Sequence, residues 1–280
     1  MIETEENGMN LKRSYCPKPG YQKLIETGKS SLTLLEMGML HLEKGQQETI
    51  DTGEKETALI ILSGHCDIKG DTWEWSAIGN RRNVFGGAAY SAFVPRRHKL
   101  IVTALEKVTI AVIQAPTDCD GAPVLVKPED VIVKTLGKPG WKRDAHFIID
   151  ERIAAQHLYI GECYIHPGNW ASYPPHRHEK DDMPAEGFLE EIYYYEFNME
   201  QGFGIQKVYT DDRTIDEIYT VKTGDIVAIP RGYHPLANAP GYYCYYLWIM
   251  AGKNRGFFMR TDPDHQWINA AEVMLDKEVR

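Results

Sequence analysis

The sequence predicts an all-β protein of two tandem modules with only minor helix, and three observations predict it. Short runs rich in β-branched and aromatic residues recur along the 280 residues, each bounded by Gly, Pro or Asp. Helical periodicity is weak except near Asn269–Val279 and within Lys142–Ile153. The two halves of the chain also echo one another, and a repeat of this kind marks a duplicated unit.

The strand signals come in order. Thr57-Ala58-Leu59-Ile60-Ile61-Leu62 and Val108-Thr109-Ile110-Ala111-Val112-Ile113 lie in the first half. Glu191-Ile192-Tyr193-Tyr194-Tyr195 and Tyr243 to Met250 lie in the second. Many short strands separated by turns suit a sandwich or barrel. The echo links Ala92-Phe93-Val94-Pro95-Arg96-Arg97-His98 to Val227-Ala228-Ile229-Pro230-Arg231-Gly232-Tyr233-His234. Upstream, the block opening at Glu56 stands where the block opening at Glu191 stands later. Between the halves, the stretch 115–130 carries three prolines and reads as a connection. The expected organisation is a first module over 20–120, a linker over 121–145, a second module over 146–268 and a helical tail over 269–280.

Composition narrows the function classes. Lys and Arg total 31 against 40 Asp and Glu, a formal net charge of -9. Nucleic-acid binders need cations to neutralise phosphates, so this balance argues against one. It leaves room for a small anionic substrate, which one or two local Arg residues can bind. The longest apolar runs, such as Leu59 to Leu62, are too short to cross a bilayer, and no apolar leader follows a basic start. Five scattered cysteines without a CxxC pair argue against disulfides and a thiolate zinc site. The expectation is a soluble, cytoplasmic protein.

The chemistry gathers in the second half. In Pro174-Pro175-His176-Arg177-His178, residues i and i+2 share one face of a strand, so His176 and His178 converge while Arg177 turns away. A carboxylate opening the next strand adds a third ligand, Glu191 ahead of Glu190, and His234 adds a fourth. Three imidazoles and one carboxylate suit a single divalent ion, Zn or Mn ahead of Fe, with positions left for substrate. In the first half, the Asp51 to Lys55 segment has no such pair and only His98 stands at the corresponding later position. The first module is expected to lack the metal.

These motifs resemble those of the cupins, whose first motif is G-x5-HxH-x3,4-E-x6-G and whose second is G-x5-PxG-x2-H-x3-N. Here HxH is followed by Glu191 after an insertion over 179–190. The second motif reads Gly224-x5-Pro230-Arg231-Gly232-Tyr233-His234-x3-Asn238, one residue short before the His. The resemblance implies two cupin modules of the double-stranded β-helix, or jelly-roll, type. A closer likeness covers about Gly161 to Ile268. Gly168 to His178, Leu189 to Tyr194, Gln206 to Arg213, Pro230 to Pro235, Tyr245 to Leu247 and Met250 to Gly252 are similar to the 5-deoxy-glucuronate isomerase family of bacterial inositol catabolism. That family implies a ketol-isomerase of an open-chain uronic acid. Its sister family, the 4-deoxy-hexosulose-uronate isomerases, implies a related deoxyuronate. An Fe(II) dioxygenase and a non-enzymatic sugar-binding bicupin are the alternatives from other classes.

Isomerisation also needs a base and an acid beside the metal. The catalytic candidates are Glu190, Tyr193 and Tyr246, with His166 also in reach by sequence. The candidates for holding substrate are Arg231, Arg213, Tyr195 and Tyr245, the Arg residues because a guanidinium captures a carboxylate bidentately. The charged insertion from Glu179 reads as a solvated loop near the pocket mouth. The expected partner is a small anionic sugar acid, with a homo-oligomer allowed for and neither nucleic acid nor membrane.

Overall fold

The computed structural model describes residues 10–275, and these are nearly all strand and loop. The only α-helix among them is Trp267–Leu275, so part of the expected helical tail, 276–280, lies outside the described residues. Among the described residues no helix is long and apolar enough to cross a membrane.

Each half of the chain builds a large sheet facing a small one. In the first half, six strands run in the order Val124–Val126, Ser91–Val94, Lys55–Ser63, Val108–Pro116, Glu36–Leu42, Gly20–Ile25. A four-stranded sheet containing Gln47–Asp51 and Lys99–Ala104 faces them. In the second half, six strands run Asp225–Ile229, Glu190–Phe197, Cys244–Ala251, Leu158–Ile165, Arg143–Ile149, Ile132–Leu136, and Lys12–Ser14 crosses over from the N-terminal end to add a seventh beside Asp225–Ile229. Their smaller partner contains Gly204–Tyr209 and Leu236–Asn238.

The large sheets are buried on both faces, which is why their strands read as continuous apolar runs. Alternation sends Leu59 and Ile61 into the first sandwich, while Ala58, Ile60 and Leu62 face the other half. In the second half Tyr193, Tyr195 and Phe197 point inward, and Ile192 and Tyr194 point back. The two outward faces meet in one shared core containing Ile60, Ile113, Ile160 and Leu247.

Three sequence expectations change. The segment Lys142–Ile153 is not helical: Arg143–Ile149 is a strand paired with Leu158–Ile165. Its i, i+4 apolar spacing arises because the strand packs Ala145 and Phe147 on one face and Ile148 and Ile149 against the other half. The stretch 121–145 is not a plain linker, because Ile132–Leu136 forms the edge of the seven-stranded sheet. That edge is almost wholly exposed, and its apolar residues Ile132, Val133 and Leu136 do not alternate with polar ones. The echo also shifts by one residue. Thr57 pairs with Val94 as Glu191 pairs with Ile229, so Glu190, not Glu191, is the counterpart of Glu56.

Candidate metal centre

Local backbone features bring the site together. His176–Arg177 forms a two-residue strand paired with Arg260–Thr261. The His178 carbonyl then accepts a hydrogen bond from the Leu189 amide at 2.9 Å, which closes the intervening loop and places His178 beside the start of Glu190–Phe197. Glu191 points inward from that strand. His234 follows a turn in which Gly232 has φ 96°, and a Cβ there would stand 2.5 Å from the Tyr209 carbonyl oxygen. Only glycine tolerates that combination. Gln206 holds the turn from below, donating to the His234 carbonyl at 2.8 Å and accepting from the Tyr195 hydroxyl at 2.8 Å.

The imidazoles are oriented alike. Nδ1 donates to the Pro174 carbonyl in His176 (3.3 Å), to Leu189 in His178 (2.6 Å) and to Gly232 in His234 (2.9 Å). A carbonyl only accepts, so each Nδ1 carries a proton and Nε2 is the nitrogen left facing the group. The Nε2 atoms of His178 and His234 each lie 3.2 Å from the same oxygen, Oε2 of Glu191. The ligand atoms of His178, Glu191 and His234 fall within 4.8 Å of one another, all buried. His176 stands beside this group, its ring 5.1 Å from that of His234.

The electrostatics suit a cation. Burial, reinforced by neighbouring positive charge, depresses His176 to a pKa of about 3, and burial takes His234 to about 3 despite the Glu191 carboxylate. Both are neutral donors at physiological pH. For His178 burial is outweighed by its hydrogen bond and attraction to Glu191, and its pKa rises. The buried Nε2 of His234 has no hydrogen-bond partner, and a buried polar atom left so asks for one. A divalent metal ion satisfies that atom and the carboxylate at once, so the group could bind one.

A cavity of about 320 Å³ opens over the group, lined by His176, Glu191, Ser172, Tyr193 and Tyr246. The Tyr193 hydroxyl lies 2.8 Å from the Ser172 hydroxyl, and its ring packs 4.7 Å from that of Tyr246. Burial first, and for Tyr193 the Glu191 charge next, push both phenols well above their ordinary pKa.

Other sequence candidates lie elsewhere. Glu190 faces the first half, where its carboxylate accepts from the amides of Thr33, Leu34 and Leu35 at 2.6–2.8 Å. Adjacent residues of a strand face opposite ways, so Glu190 and Glu191 cannot both reach the cavity. The same rule separates Tyr246 from Tyr245, whose hydroxyl bonds Glu162 at 2.9 Å between the halves. Tyr195 lies deeper, committed to Gln206. Arg231 and Arg213 sit on the exposed face of their hairpins, Arg231 bonded to Thr214 at 2.7 Å and Arg213 stacked 4.5 Å from the Tyr209 ring. His166 pairs with Asp144 at 3.0 Å outside the cavity. The charged insertion is exposed over 180–185. It is pinned by buried Glu186, which accepts from the amides of Glu179 and Lys180 and meets Arg177.

Sequence reasoning missed Arg143, Lys134, Trp248, Phe257 and Met259, which also line the cavity. Reading Arg143 to Phe147 with a period of two would have placed Arg143 on the inner face.

Residues 14–268 match the model of the KduI/IolB family. The chain belongs to that family. A relative from Geobacillus kaustophilus named 5-deoxy-glucuronate isomerase is 41% identical over 233 residues, covering 83% of this chain and 84% of its own. The crystal structure of an IolB-like protein from Salmonella typhimurium superposes with a TM-score of 0.89 at 34% identity, over 93% of this chain and 99% of the other. The oxalate decarboxylase of Lactobacillus farciminis shares the fold alone, with a TM-score of 0.65 at 13% identity over 88% of this chain and 87% of the other. The expected all-β cupin class and the family likeness therefore hold.

Proposed function

We propose that the protein is a metal-dependent aldose–ketose isomerase that converts 5-deoxy-D-glucuronate to 5-dehydro-2-deoxy-D-gluconate in myo-inositol catabolism. The observation that carries this reading is the buried His178, Glu191 and His234 group, with His176 beside it, at a cavity in a chain whose relatives bear the isomerase name. The four residues hold one divalent ion, Zn or Mn before Fe. When bound, it supplies Lewis acidity toward a carbonyl and its neighbouring hydroxyl. Burial favours the protonated phenols of Tyr193 and Tyr246, which suits them to donate hydrogen bonds to substrate oxygens. Ser172 fixes the Tyr193 hydroxyl from behind.

The test is NMR of purified protein with 5-deoxy-glucuronate in the absence of oxygen. The aldehyde signal should decay as the ketose appears. A His234→Ala variant should lose bound metal and at least ~10³-fold in turnover together. A metal-free His234→Ala protein that still turns over the substrate would exclude this mechanism.

A further inference from the structure

The cavity has a second polar end. Along the inner face of the seven-stranded sheet, Glu191 stands in the same row as Met250, and Arg143 in the same row as Ile165. They lie diagonally across that face, three strands apart, and Trp248 and Phe147 stand in a row between them. Arg143 is half-buried, and the one hydrogen bond of its guanidinium goes to the Trp141 carbonyl at 3.3 Å. It has no carboxylate partner among the described residues. The fully buried guanidiniums differ. Arg81 is paired with Glu162, and Arg177 with Glu186 and Asp211. Desolvating a cation without a counter-charge is costly, so a cavity-facing Arg left in this state is arranged for an anion that arrives. Phe147, Trp248, Phe257 and Met259 give the lining an apolar stretch, with the Lys134 ammonium 5.0 Å from the Phe147 ring.

We propose that Arg143 anchors the carboxylate of an open-chain sugar acid, and that the apolar wall beside it receives the adjacent deoxy carbon. The inference rests on the isomerase reading and deepens it: the metal group takes the aldehyde end, and the far end reads a charge and a missing hydroxyl. A guanidinium matches a carboxylate with two parallel hydrogen bonds, which an ammonium does not reproduce. A hydroxyl placed against Phe257 and Met259 loses water and meets no polar side-chain atom of either, which should disfavour glucuronate by about 10–100-fold.

The experiment compares steady-state kinetics on 5-deoxy-glucuronate and on the neutral sugar with CH2OH in place of the carboxylate. Arg143→Met should raise KM for the acid by about 100-fold and cut the acid-over-neutral ratio of kcat/KM by a similar factor, with metal content unchanged. Arg143→Lys should recover part of that ratio. Met259→Gln, at the half-exposed rim, should raise the kcat/KM of glucuronate relative to 5-deoxy-glucuronate about tenfold. If both sugars fall together in Arg143→Met, or neither falls, Arg143 is not the anchor. An unchanged glucuronate ratio in Met259→Gln refutes the apolar selection. If the wild-type protein turns over neither sugar, the isomerase reading fails by itself. Calorimetric binding of the acid to wild type and Arg143→Met then decides the anchor, and equal affinity overturns it.

Discussion

The two halves place the same backbone positions in register and fill them differently. The Lys55 amide donates to the Thr52 carbonyl at 3.0 Å as the Leu189 amide donates to His178 at 2.9 Å, so Thr52 occupies the place of His178 and Ile50 that of His176. Thr57 occupies the place of Glu191, and its hydroxyl accepts from Gln114 at 3.0 Å, so its polar atom is already satisfied. On the opposite face of the same strands the halves agree. Glu56 accepts from the amides of Gln156, His157 and Leu158 at 2.6–2.8 Å, and Glu190 accepts from Thr33, Leu34 and Leu35. Each half thus reaches into a loop of the other with a carboxylate that caps three backbone donors. The outward faces keep a common packing role, while among the described residues only one inward face gathers a group that could bind a metal. Strand alternation lets the two faces differ independently.

The largest effect is expected where the halves are joined by charge. Arg81 of the first half meets Glu162 of the second through two hydrogen bonds, 2.5 and 3.1 Å, with both side chains almost fully buried. Arg81→Met leaves Glu162 buried and unpaired, which should cost about 3–5 kcal/mol. Chemical denaturation of the variant should show that loss in one transition if the halves unfold together. Two separated transitions would show that the shared core does not couple them.

The reciprocal clamps give a finer test. Glu56→Gln and Glu190→Gln each replace a carboxylate that satisfies three amides, and each should cost about 1–3 kcal/mol by denaturant titration. The comparison predicts similar stability losses but different functional ones. Glu190 precedes Glu191, so its loss should weaken metal retention, whereas Glu56→Gln should leave metal content and kcat as in the wild type. Equal metal loss in both would mean that the clamps set the cavity from both halves.

How much of this was legible in the sequence follows from the same geometry. The HxH pair and His234 stand out because spacing along one strand and one turn is local information. Doubly buried strands such as Cys244–Ala251 are easy to find and hard to orient, since both faces are apolar. That is why Tyr245 and Tyr246, or Glu190 and Glu191, could be proposed together although each pair straddles the sheet. Arg231 looked close to the site because it lies three residues before His234, but the turn carries its side chain out toward Thr214. Arg143 was hidden for the opposite reason. It is 33 residues before His176 in sequence, and long-range pairing through Ile165 brings its strand beneath the cavity.

The smallest effect concerns one place where the outward faces differ. Six residues beyond Glu56 stands Leu62, buried in the shared core, and six beyond Glu190 stands Glu196. Burial raises the pKa of the Glu196 carboxyl. The Tyr194 hydroxyl donating at 2.8 Å and the charge of Arg81 pull it down, and Glu162 pushes it up. Between the ordinary carboxylate pKa and the raised one, the folded protein keeps a proton that the unfolded chain has lost. Stability from this group is therefore full below the ordinary value and drains away as pH rises through the raised one. Within that window each pH unit shifts stability by at most about 1.4 kcal/mol. Glu196→Gln cannot titrate, so the variant should gain stability relative to wild type as pH rises from 4 to 7, measured as the difference in denaturation midpoints. A difference that stays flat, or shrinks with pH, would mean that the Tyr194 hydroxyl and Arg81 already compensate the buried charge. The leucine-to-glutamate change at this position would then be neutral for the joint between the halves.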